Sequence, residues 1–117
     1  MKVVFKILAA VFLVLFLYAV YVQNNDPDAM LWYLIYGVAA LASILFLSGK
    51  LPFAIAVILF ASYLIGVFMV WPEQFEGVTI GEGDIVNVER GREALGLLIV
   101  SAVMLVYALG VKCVRKL

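Results

Sequence analysis

A chain of 117 residues is enough for one domain, and 68 % of it is hydrophobic against 14 % charged. Soluble domains carry roughly 45–50 % apolar and about 25 % charged residues, so the composition assigns the chain to a lipid bilayer. A formal net charge of zero argues against nucleic acid as a partner, and the absence of histidine excludes serine–histidine acyl transfer. The single cysteine, Cys113, excludes an internal disulfide, a paired-thiol redox centre and a cysteine–histidine metal cluster.

Four apolar segments follow one another, at about residues 3–22, 30–48, 51–71 and 94–111. About 20 residues at ~1.5 Å rise cross a hydrocarbon core of ~30 Å, so each segment predicts a membrane-spanning helix. None carries a charge in its central turns; Lys6 lies near one end. Proton-coupled drug export needs an ionisable group inside the membrane, and this pattern argues against it. The first segment has a basic start, Lys2 and Lys6. Its apolar run exceeds a secretory signal core and no small-x-small cleavage site follows, so it reads as a retained helix.

The first connection, 24–29, is short and polar. Asp26 precedes Pro27, which disfavours helical backbone at Asp26 and suits the first helical turn itself. Asp26 therefore reads as the N-cap of the second helix and Asp28 as its second residue, both facing the positive end of the helix dipole. Gly49 and Lys50 join the second and third helices, with Pro52 expected in the first turn of the third. Such short links predict antiparallel neighbours. Residues 72–88 form the one long loop. Its Gly77, Gly81 and Gly83 suggest turns, and residues 78–80 with 85–88 suggest a small hairpin.

Charge gives an orientation. Lys2, Lys6, Lys50, Lys112, Arg115 and Lys116 fall on one side. All eight acids, joined only by Arg90 and Arg92, fall on the other. The positive-inside rule then places both termini in the cytoplasm. Tyr18, Tyr21, Trp32, Tyr33 and Trp71 at the outer helix ends are expected to form an aromatic belt at headgroup level. The pairs Ala39/Ser43 and Ser62/Gly66 have small-xxx-small spacing, which lets helix backbones approach in lipid. The expectation is an all-α integral membrane protein, an antiparallel four-helix bundle with both termini cytoplasmic, in a plasma membrane or bacterial inner membrane.

The second charged stretch, 87–96, introduces the fourth helix on the outer side. If helical, it places Glu89, Arg92, Glu93 and Gly96 on one face. The glutamates suit a helix N-terminus, whereas Arg90 and Arg92 oppose both the dipole and the positive-inside bias. Arg92 is expected to pair with Asp26 or Asp28, because it shares a face with Gly96, where a neighbouring helix has room to come close.

VQNNDPD (22–28) followed by aromatic-rich apolar sequence, together with ERGREALGL (89–97), resembles the transmembrane protein 220 family, with its VQxNDPD and ExGRE boxes. The likeness covers the four-helix layout and singles out Gln23, Asn25, Asp26, Pro27, Asp28, Glu89, Gly91, Arg92, Glu93 and Gly96. It implies a fold and a site, not a reaction, and the glycine-rich loop matches nothing in the family pattern.

Three uses of the site stay open. Gln23, Asn25, Asp26, Asp28, Glu89, Arg92 and Glu93 form an ion-pair and capping network that pins the first loop to the fourth helix. Alternatively their oxygens bind a small ion or polar ligand, with calcium or magnesium opposed by the arginines. In the third use the acidic outer surface docks a partner. The sequence reads as a non-catalytic accessory or scaffolding subunit with no cofactor and no metal centre, in contact with the bilayer and other membrane subunits. The alternative is an outward-facing binder or transporter.

Overall fold

In the computed structural model, residues 3–22, 29–71 and 85–115 are described, the last stretch with side chains over 90–112. Four helices account for nearly all of them: α1 (Val3–Val22), α2 (Ala29–Leu47), α3 (Phe53–Val70) and α4 (Ile85–Arg115). All four are long and apolar enough to span a membrane, and no strand occurs among the described residues.

The ends of the helices follow from local chemistry. α2 stops in a Schellman motif: the Lys50 N–H donates to the Leu45 carbonyl at 2.8 Å and the Gly49 N–H to the Phe46 carbonyl at 3.1 Å. Gly49 holds φ +75°, a left-handed conformation that a Cβ would strain. Pro52 is the N-cap of α3 rather than its first-turn residue. Its ψ of 142° is extended, and its carbonyl accepts the first helical bond, from Ala56 N–H at 3.1 Å. α3 therefore begins at Phe53. It ends before Trp71, whose ψ of 131° is the extended conformation a residue preceding proline is pushed into.

The largest departure from the sequence reading is α4. It begins at Ile85 rather than near residue 94 and runs to Arg115, 31 residues in all. Residues 85–88 are helical, so the expected hairpin loses its second strand; residues 78–80 lie outside the described residues. At ~1.5 Å per residue α4 is about 46 Å long and overruns a hydrocarbon core of ~30 Å.

The helices form two antiparallel hairpins, α1 with α2 and α3 with α4, and α4 also touches α2 and α1. α2 and α3 meet far less extensively, although a short link joins them. Space rather than chain order sets this arrangement, because α4 carries two packing stripes. Ala94, Leu97, Ser101, Met104, Ala108 and Val111 are buried at alternating spacings of three and four, and this stripe meets α3 through Leu97 on Gly66 and Ser101 on the Phe60 carbonyl. The adjacent stripe of Gly96, Val100, Val103, Tyr107 and Gly110 meets α2 and α1. Hence 56 % of the α4 span is buried but only 11 % of α1. The outward faces of α1, α2 and α3 are apolar: Val11, Val14, Leu34, Leu41, Ile58 and Ile65 are among the exposed side chains. Acyl chains cover such surfaces as readily as protein does, so helix association rests on close packing and hydrogen bonds.

The bundle has two unlike ends. The turn end carries the Gly49–Lys50 turn, the start of α1 and the end of α4. The loop end carries the other two connections. At the turn end Phe46 lies in the notch left by Gly110, stacks on Tyr107 at 4.6 Å and meets Phe5 edge-on at 6.3 Å. At the loop end Trp32 is buried and stacks on Tyr36 at 6.1 Å. Trp32 is thus buried in the core rather than exposed in the expected belt, on the stripe of α2 that also carries Tyr36, Ser43 and Phe46; Tyr18, Tyr21 and Trp71 remain exposed.

Candidate functional site

The polar chemistry of the described bundle lies inside it. Ser43 and Tyr107, both fully buried, join α2 to α4 by a hydroxyl–hydroxyl bond of 2.6 Å. The Ser43 hydroxyl also donates to the Ala39 carbonyl one turn back, at 3.0 Å. Tyr63 on α3 donates to the Ile35 carbonyl on α2 at 2.6 Å, and Ser101 on α4 to the Phe60 carbonyl on α3 at 3.2 Å. Among the described residues no buried side-chain nitrogen or oxygen lacks a partner. Interhelical hydrogen bonds in lipid average about 0.6 kcal/mol each, so these three pin register more than they supply stability.

Of the residues singled out in the sequence, Gln23, Asn25, Asp26 and Asp28 lie outside the described residues, and so does the side chain of Glu89. The capping of α2 and the pairing of Arg92 with Asp26 or Asp28 fall outside them for the same reason. Arg92 is exposed, as is Arg90, and Gly91 is buried between them. Glu93 is half-buried, one turn before the Gly96 position that Tyr36 of α2 approaches. Because α4 begins at Ile85, Glu93 is its ninth residue and lies beyond the first turn, where a helix dipole acts. The helix end therefore does not account for Glu93 as the sequence suggested.

Gly96, one turn further, is where α2 comes close. A Cβ on Gly96 would stand 2.6 Å from the Tyr36 hydroxyl, so any larger residue there would push that hydroxyl aside. Tyr63 reaches the same end of α2 from α3, its hydroxyl bonded to the Ile35 carbonyl next to Tyr36, so Glu93, Tyr36 and Tyr63 stand on three helices at the loop end. A carboxylate there can accept hydrogen bonds from a polar ligand or hold a cation. Among the described residues no three histidine, cysteine, aspartate or glutamate side chains come together to bind a metal.

Sequence reasoning located Gly96 and Glu93 but missed Tyr36, Tyr63, Ser101 and Tyr107. A signal existed. Of the six tyrosines, Tyr36, Tyr63 and Tyr107 alone sit well inside apolar spans, and a buried phenol needs a partner for its hydroxyl. The small pairs divide. Ala39 and Ser43 are both buried inside the bundle; of the other pair, Gly66 packs on Leu97 while Ser62 is exposed.

Comparison with known proteins gives one match. The model of the family described as "Transmembrane family 220, helix" matches residues 15–109, a span that includes both charged stretches. No curated protein and no solved structure matches significantly.

Proposed function

From the premise that the chain belongs to transmembrane family 220 and is a multi-pass membrane protein, we propose that it works as a non-catalytic accessory or scaffolding subunit of a membrane complex, with both termini cytoplasmic. The observation that carries this reading is the internal use of its polar groups. Ser43, Tyr63, Ser101 and Tyr107 each bond to another helix of the same bundle, which leaves a body with apolar flanks. α1 offers the widest such flank, with Ala9 and Phe16 its only buried positions. The orientation is supported by charge: among the described residues Lys6, Lys50 and Lys112 lie at the turn end, and Arg90 and Arg92 lie at the loop end beside Glu93. Purification from native membrane in mild detergent, with the tag on the C-terminus, tests the proposal. A defined partner in fixed stoichiometry is the expected result. A monodisperse lone protein, fully active in reconstituted transport or ligand binding, would overturn it.

The half-burial of Glu93 near the Tyr36–Gly96 approach favours a second reading, an outward-facing binder or transporter of a small ion or polar ligand. In that reading Glu93, Tyr36 and Tyr63 take part alongside Asp26, Asp28, Glu89 and Arg92.

A further inference from the structure

We propose that the turn end of the bundle is a binding site for the phosphate headgroups of anionic membrane lipids. The inference rests on the four membrane spans and on neither functional reading.

Three lysines from separate parts of the chain converge at this end. The contact at its centre joins α1, α2 and α4: the Phe5 and Phe46 rings are 6.3 Å apart, and a Cβ on Gly110 would meet Phe5 at 3.1 Å and Phe46 at 2.8 Å. Lys6 directly follows Phe5, Lys50 comes soon after Phe46, and Lys112 soon after Gly110. At ~1.5 Å per residue, the three stand within about 8 Å of one another along the bundle axis. All three are exposed. Lys2, Arg115 and Lys116 adjoin them in the sequence. No acidic side chain is at hand to neutralise them. Residues 1–25, 29–72 and 94–117 contain no aspartate or glutamate, so every acid belongs to the two loop-end connections or to the start of α4, across the bilayer.

The depth fits a lipid. A headgroup layer is roughly 5–7 Å thick on each side of the hydrocarbon core. α2 ends at Leu47 and α3 begins at Phe53, so this layer meets the bundle at the Gly49–Lys50 turn. Lys6, in the first turn of α1, is within reach of it through a long stem that lies along apolar surface. Apolar side chains beside the lysines are exposed as well: Val3 and Ile7 next to Lys6, Ile44 on α2 and Ile55 on α3. A lipid supplies a phosphate for the ammonium groups and acyl chains for that surface together. A free anion or an acidic soluble protein supplies only the charge. Attraction of a basic cluster to anionic headgroups rises about fivefold for each lysine or arginine near the surface.

Native mass spectrometry of the full chain tests this, after incubation in neutral detergent with equal amounts of phosphatidylglycerol and phosphatidylcholine of the same acyl chains. The expected result is retention of phosphatidylglycerol in preference to phosphatidylcholine. Lys6→Gln with Lys50→Gln should lower that preference about fivefold or more. Lys6→Arg with Lys50→Arg keeps the charge and should preserve it. Arg90→Gln with Arg92→Gln removes the same charge from exposed positions at the other end and should leave it unchanged. Equal retention of the two lipids by the unsubstituted chain would overturn the proposal. So would an equal loss in the arginine variant, because net charge and not this end would then set the preference. Displacement of the lipid by excess inorganic phosphate would also overturn it, by assigning the lysines to a free anion.

Discussion

Removing the buried hydroxyl pair one partner at a time should give unequal losses, and removing both should restore part of the loss. The Ser43 hydroxyl has one hydrogen, and it donates it to the Ala39 carbonyl at 3.0 Å. The 2.6 Å contact with Tyr107 is therefore donated by the phenol. Tyr107→Phe deletes that donor, keeps the ring stacked on Phe46 and leaves Ser43 bonded to its own helix. The loss should be about 0.6 kcal/mol and no more than ~1.7 kcal/mol. Ser43→Ala instead strands the Tyr107 O–H at 0 % exposure, and an orphaned buried donor costs about 1–3 kcal/mol. In the double variant no donor is stranded, so it should be more stable than Ser43→Ala alone. Reversible unfolding in mixed micelles, with increasing sodium dodecyl sulfate followed by circular dichroism, measures all three. A double variant less stable than Ser43→Ala, or a Tyr107→Phe loss larger than the Ser43→Ala loss, would refute the assignment of donor and acceptor.

Gly110→Ala forces a methyl group to within 2.8 Å of Phe46 and should destabilise the bundle by about 1–3 kcal/mol in the same assay, as overpacking does. Arg92→Ala should change stability by no more than about 0.5 kcal/mol, because the guanidinium is exposed; a loss of several kcal/mol would reveal a buried ion pair with the first loop. For topology, an impermeant thiol reagent on sealed cells should label Glu82→Cys in a Cys113→Ser background and miss native Cys113. The opposite pattern would invert the orientation.

The spans were legible because a run of some 20 apolar residues has few other uses, and α1 matches its sequence range of 3–22. The start of α4 was not, since residues 85–93 mix charged and β-branched residues beside turn-forming glycines, and local composition there points away from helix. Packing of Gly91 and Ala94, both buried, outweighs it. Interior hydroxyls were hidden for a different reason: a serine or tyrosine inside an apolar run declares that it needs a partner, but not which one. Ser43 was read as a small residue for close approach, which it is, while its bond to Tyr107, 64 residues away, depends on α2 and α4 running side by side in the same direction. Trp32 shows the limit of end-of-helix rules. Its position predicts headgroups, and packing on Tyr36 within the bundle decides otherwise.

That α4 forms the shared seam has a consequence for how the protein is made. Synthesis is vectorial: α1 and α2 emerge first and can close on each other at once. α3 follows with no mate, since its extensive interface is with α4 and not with the hairpin already in place. Until the last third of the chain has been translated, Gly66 and the Phe60 carbonyl lack their α4 partners, while Tyr63 can already reach the earlier hairpin. The bundle is completed by its final helix, so a nascent chain stopped within α4 leaves α3 stranded in the bilayer, the form a membrane quality-control system would meet.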